Sequence, residues 1–176
     1  MLLFRLFGSF IRKGIPLILL LSFFIACRSK NENISIKKDE KAINKAINTS
    51  LDVWHQSASE SDFKTYFDVM DTASVFIGTD ATENWTKEAF SLFSKPYFDK
   101  GEAWSFHPKE RNIYLSKSGD VAWFDELLDT WMGTCRGSGV FELDEAEWKL
   151  KHYVFSLTVP NDAMNDVIEL IASDNE

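Results

Sequence analysis

The chain has 176 residues, 45% of them hydrophobic and 14% aromatic, and a formal net charge of −8. No Lys/Arg cluster interleaves with aromatics, so a negative chain of this kind argues against nucleic acid as a partner. The length allows one main domain, and 6 Trp, 4 Tyr and 15 Phe supply ample apolar area for its core and for a lined cavity.

The N-terminus is apolar, with Arg5, Arg12 and Lys13 ahead of the run Ile15–Ala26 and no acid before Cys27, the layout of a secretory signal peptide. That run of 12 residues is shorter than the roughly 20 that a permanent span requires. Phe24-Ile25-Ala26-Cys27 resembles the bacterial lipobox, which implies cleavage before Cys27 and a diacylglyceryl group on its thiol. A rival reading joins Leu2–Phe10 to the run as an uncleaved anchor interrupted by Arg12-Lys13. Arg28 follows Cys27 where Asp is the usual inner-membrane retention signal, so the outer membrane is expected in an envelope with two membranes. Loss of residues 1–26 moves the net charge from −8 to −11. Residues 27–38 read as a flexible tether, 39–162 as the domain and 163–176 as a C-terminal helix or tail. With Cys27 lipidated, Cys135 has no disulfide partner and reads as a buried free thiol.

In the domain, Ile43, Ile47, Leu51 and Trp54, backed by Ala46 and Ala58, predict a helix over 39–60. Ser61-Asp62 offers a cap to a second, short helix carrying Phe63, Tyr66, Phe67 and Met70. Ala73–Ile77 reads as a brief strand. Thr86 caps a third helix, Trp85 is placed to staple onto Phe90, and Pro96 is expected to kink or end that helix. The pattern then becomes β over Trp104–Ser116, Asp120–Trp131, Arg136–Leu143 and Glu147–Val159, with turns at Ser118-Gly119-Asp120 and Met132-Gly133-Thr134. A last amphipathic helix after Pro160 would use Met164, Val167, Ile168 and Ile171. The sum is an α+β fold, a cone-shaped half-barrel with helices packed in the concave face of a curved antiparallel sheet.

This order, with Asp52-Val53-Trp54-His55, Gly119-Asp120-Val121-Ala122-Trp123-Phe124-Asp125-Glu126, Arg136-Gly137-Ser138-Gly139-Val140-Phe141 and Trp148-Lys149-Leu150-Lys151-His152-Tyr153, resembles the SnoaL-like families of the nuclear transport factor 2 superfamily over roughly 41–162. The resemblance implies a cone holding a small, largely apolar ligand and an open sheet face that makes a homodimer. The superfamily includes isomerases, cyclases, dehydratases and binding proteins, and no catalytic set carries over residue by residue.

The residues give three readings. In the first, a small apolar molecule binds a pocket of Trp54, Tyr66, Phe67, Trp104, Trp123 and Arg136. In the second, an acid–base enzyme uses His152, which shares strand parity with Trp148, Leu150, Val154 and Ser156, together with whichever of Asp125 and Glu126 faces inward. Adjacent on one strand, those two acids must face opposite ways. In the third, an interaction protein uses its outer sheet face. His55, His107 and His152 lie far apart without metal-ligand spacing, and no Gly-rich phosphate loop precedes a helix, so neither metal nor other cofactor is expected. The glycines of Arg136-Gly137-Ser138-Gly139 fall within a strand pattern and read as sites of bending or close packing.

Overall fold

The computed structural model describes residues 39–173. The sheet, and its helices from Ile43 onward, fall within one compact unit. The expected signal peptide, the tether and Cys27 lie outside the described residues. Among the described residues no helix is long and apolar enough to cross a membrane.

Helix α1 runs over 39–59, and Ile47, Leu51, Trp54 and Ala58 on its inner stripe are buried as their spacing requires. Full burial of each of the three larger side chains contributes about 1.5–3 kcal/mol. A short turn through Ser61, at φ 57°, leads to α2 (Phe63–Val69). There Asp62 caps the helix by accepting a bond from the Thr65 N–H. Strand β1 (Met70–Ile77) begins directly after it, and β2 (Asn84–Thr86) pairs back on β1. Thr86 caps α3 (Lys87–Lys100) through the Ala89 N–H. The helix passes through Pro96 and ends four residues later at Lys100, capped by Gly101, whose left-handed φ of 71° suits glycine. Trp85 stacks on Phe93 at 5.1 Å rather than on Phe90, which stacks instead on Phe76 at 4.0 Å.

The four long strands are β3 (His107–Leu115), β4 (Val121–Thr130), β5 (Gly133–Asp144) and β6 (Glu147–Leu157). Sheet order is β2-β1-β6-β5-β4-β3, an unclosed, curved six-stranded sheet. Within it β1 runs parallel to β6, so the sheet is mixed, while β3 to β6 form the expected antiparallel meander. After a short 3-10 turn (Asn161–Ala163), α4 (Met164–Ser173) follows as expected but contains no buried residue.

Alternation fixes which side chains enter the concavity. Ala122, Phe124, Glu126 and Leu128 of β4 point in, as do Cys135, Gly137, Gly139 and Phe141 of β5, so Cys135 is the buried free thiol expected. On β6 the ladder pairs Phe141 with Leu150 and Val140 with His152, leaving Lys151 as an extra residue. This bulge reverses the parity, so Tyr153 and Phe155 face inward and His152 does not. Lys151 is held by ion pairs to Asp71 (3.2 Å) and Glu142 (3.3 Å), which pin the bulge between its neighbouring strands.

Candidate functional site

Two features within this unit have chemical character: a buried polar cluster and an aromatic cleft. The cluster is centred on Glu126, 1% exposed. Cross-strand pairing sets Arg111 of β3 opposite Glu126, and α1 brings His55 over it. His55 Nε2 lies 2.8 Å from Glu126 Oε1, Arg111 Nε donates to Oε2 at 2.9 Å, and the Tyr153 hydroxyl lies 3.5 Å from Oε1. Arg111 Nη1 continues outward to Asp52 (2.8 Å) and to the side-chain oxygen and carbonyl of Asn48 (3.2 and 3.3 Å). Burial pushes the Glu126 carboxyl up, but the bond and charge of His55 together with the Arg111 guanidinium outweigh it and hold the group below its ordinary value. Glu126 is therefore a carboxylate that only accepts, which fixes the proton of His55 on Nε2. Nδ1 has no hydrogen-bond partner among the described residues. Tyr153 is pushed well above the usual tyrosine value by burial and by the nearby Glu126 charge, and so stays a neutral hydroxyl. Among the described residues two buried donors, Trp54 Nε1 and Arg111 Nη2, have no partner.

Glycines make this packing feasible. A Cβ at Gly137 would meet the Tyr153 hydroxyl and come within 3.1 Å of Glu126 Cγ, while one at Gly139 would meet the His152 carbonyl oxygen and the Phe124 ring. The glycine pair in the β5 segment thus serves close approach.

The cleft, about 180 Å³, is lined by Phe76, Trp85, Phe90, Phe93, Trp104, Phe106, Trp131 and Phe155, with Gly78, Thr79 and Glu83. A cavity of about 150 Å³ lined by apolar side chains suffices for benzene, so the space suits one ring with a substituent. Its walls are mutually stacked: Phe106 on Phe155 at 4.7 Å, Phe90 on Trp104 at 5.6 Å and Phe76 on Phe90. Phe106 also lies 6.5 Å from the His55 ring, between the cleft and the buried cluster.

Of the expected pocket residues, Trp104 alone lines this cleft. Trp54, Tyr66 and Phe67 are buried in the core, where Trp54 stacks on Tyr66 at 5.0 Å and meets Tyr153 edge-on at 4.6 Å. Trp123 is 46% exposed on the outer sheet face, stacked on Tyr114, and Arg136 is exposed on that face too. Strand parity therefore removes both from the concavity. Glu126 is the inward carboxylate, and Asp125 points outward to Asn112 Nδ2 at 3.1 Å. His152 lies on the outer face beside Val140 and cannot work with Glu126, because the Lys151 bulge inverts the parity assumed for it. Asp129 pairs with Lys109 (3.2 Å). His55 and Arg111 were not anticipated as partners of Glu126. A signal exists: Asn48, Asp52 and His55 form a polar ridge at i, i+4, i+7 along α1, beside its apolar stripe. Among the described residues no three His, Cys, Asp or Glu side chains converge as a metal site would need.

The curved, unclosed six-stranded mixed sheet with its four helices is an α+β fold that matches nuclear transport factor 2-like structures. The SnoaL-like domain family matches residues 47–160, and the chain belongs to that family. Among solved structures, a protein of unknown function from Pseudomonas putida superposes with a TM-score of 0.58 at 13% identity, covering 70% of this chain and 92% of that one. A Cytophaga hutchinsonii protein gives 0.56 at 16%, covering 65% and 98%. A Streptomyces avermitilis protein described as a candidate dehydratase gives 0.57 at 12%, covering 66% and 96%. At such identities the likeness is one of fold. No curated protein matches the chain.

Proposed function

We propose that this is a lipid-anchored envelope protein, held through Cys27 in the outer membrane where two membranes exist, whose SnoaL-like domain binds a small, largely apolar ring compound. The observation that carries the binding reading is the cleft itself, where eight aromatic side chains line a space of about one substituted ring. Toluene, indole and naphthalene added to the full chain should raise its melting temperature, and Trp104→Ala should abolish the rise. No stabilisation by any of them would refute binding. Anchoring has its own test: Cys27→Ser should abolish labelling with radioactive fatty acid and release the protein from membranes, and unchanged retention would favour the uncleaved anchor.

A second reading, acid–base catalysis of the isomerase, cyclase or dehydratase kind, is favoured by one observation. Glu126 holds His55 by Nε2 and leaves Nδ1 unbonded, the arrangement by which a carboxylate orients an imidazole as a proton acceptor. In this reading His55 takes the proton, Glu126 orients it and Phe106 must swing aside to admit substrate. Turnover lost in a folded His55→Ala variant would support it, and unchanged turnover would refute it. The outer sheet face, with the exposed Tyr114–Trp123 stack, is proposed as a homodimer contact.

A further inference from the structure

The charge inside the cleft narrows the class of molecule it accepts. Its lining contains eight aromatic rings and a single ionisable side chain, Glu83, and no Lys, Arg or His. Glu83 is fixed in place by the β1–β2 loop. Its N–H donates to the Asp80 carbonyl at 3.0 Å, its own carbonyl accepts from the Gly78 N–H at 2.9 Å, and its Oε2 accepts from the Asp80 N–H at 3.2 Å. A Cβ at Gly78 would collide with that carboxylate, so the absence of a side chain at Gly78 lets Glu83 fold against the loop backbone. Among the described residues Oε1 has no hydrogen bond and no cation lies within ion-pair distance of Glu83.

A carboxylate in an aromatic lining that holds no Lys, Arg or His favours a cationic guest over a neutral one of the same shape and opposes an anionic one. Three of the rings are tryptophans, Trp85, Trp104 and Trp131, the side chain whose face attracts a cation most strongly. Resting on the reading that this cleft binds a small ring compound, we propose that its ligand is an organic cation. An apolar ring lies among the aromatic walls, and an attached ammonium or quaternary ammonium group is recognised by the tryptophan faces and the Glu83 carboxylate. The negative charge of the whole chain brings such a ligand to the cleft, and Glu83 discriminates once it is there.

The test compares two probes of nearly equal shape, phenyltrimethylammonium and the neutral tert-butylbenzene, by quenching of tryptophan fluorescence in the full chain. The cation should bind about tenfold more tightly than its neutral counterpart. Glu83→Gln should bring the two affinities together, whereas Glu88→Gln, which removes an exposed acid outside the cleft, should leave the preference intact. Equal affinities in the unaltered protein would overturn the cation specificity while leaving the ring-binding reading standing. Failure of both probes to bind would overturn both. A preference that survives Glu83→Gln would assign it to the general negative potential and overturn the role of the cleft.

Discussion

Replacing Glu126 by Gln would remove the charge that His55 and Arg111 share while keeping the shape of the side chain. Glu126 is 1% exposed and the Arg111 side chain 8%, so neither water nor salt can replace the lost partner. Removal of one member of a buried ion pair destabilises by about 3–5 kcal/mol. Arg111 would keep Asp52 at 2.8 Å, and the amide oxygen of Gln could still accept from Nε, which puts the expected loss near the lower figure, about 3 kcal/mol. For a chain of this length that corresponds to a fall of about 10 °C in Tm. The loss should also depend on pH in a defined direction. Burial raises the Glu126 carboxyl, but His55 and Arg111 hold it below the ordinary value of 4.5 in the folded protein. The unfolded chain therefore takes up this proton at higher pH than the folded one. The stabilisation is complete above the unfolded value and fades as pH falls through the folded value. Urea melts of both proteins between about pH 7 and about pH 3 should show a constant gap down to about pH 5 that narrows toward acid. A gap under about 1 kcal/mol at neutral pH, or one that does not narrow, would refute the assignment of Glu126 as the charged centre of the cluster.

Gly139→Ala should destabilise by about 1–3 kcal/mol in chemical denaturation, because the added methyl collides with the His152 carbonyl oxygen, a backbone atom, and comes within 2.8 Å of the Phe124 ring. His152→Ala should leave ring-compound binding unchanged in fluorescence titration, since the side chain lies on the outer face. Trp123→Ala should likewise spare binding but shift the protein to monomer in sedimentation if the exposed Tyr114–Trp123 stack is the dimer contact.

The order of elements, except for the short strand β2, was legible because each rests on neighbours in the chain. The α1 stripe from Ile47 to Ala58, the Asp62 and Thr86 caps, and the turns at Gly119 and Gly133, whose φ values are 77° and 91°, are short-range patterns. That one of Asp125 and Glu126 faces inward also followed from local alternation. Which one does so, and whether His152 accompanies it, required the register between strands. An extra residue at Lys151, tied to Asp71 and Glu142 from elsewhere in the chain, reverses every side chain beyond it, and no period-two count can detect this. The aromatic richness determined that rings would fill a core and line a hollow, but their division between the two depended on packing. Trp54 and Tyr66 fill the interior and Phe76, Phe93 and Phe106 line the mouth, because the curvature of the sheet decides which rings α1 and α3 cover. The meeting of His55, Arg111 and Glu126 was likewise a tertiary outcome: the 15 residues between Arg111 and Glu126 are closed by the β3–β4 register, and the 71 between His55 and Glu126 only when α1 packs over the sheet. Local chemistry thus set the parts and their sequence, whereas strand register and curvature, which depend on contacts distant in the chain, placed the charge and the cleft.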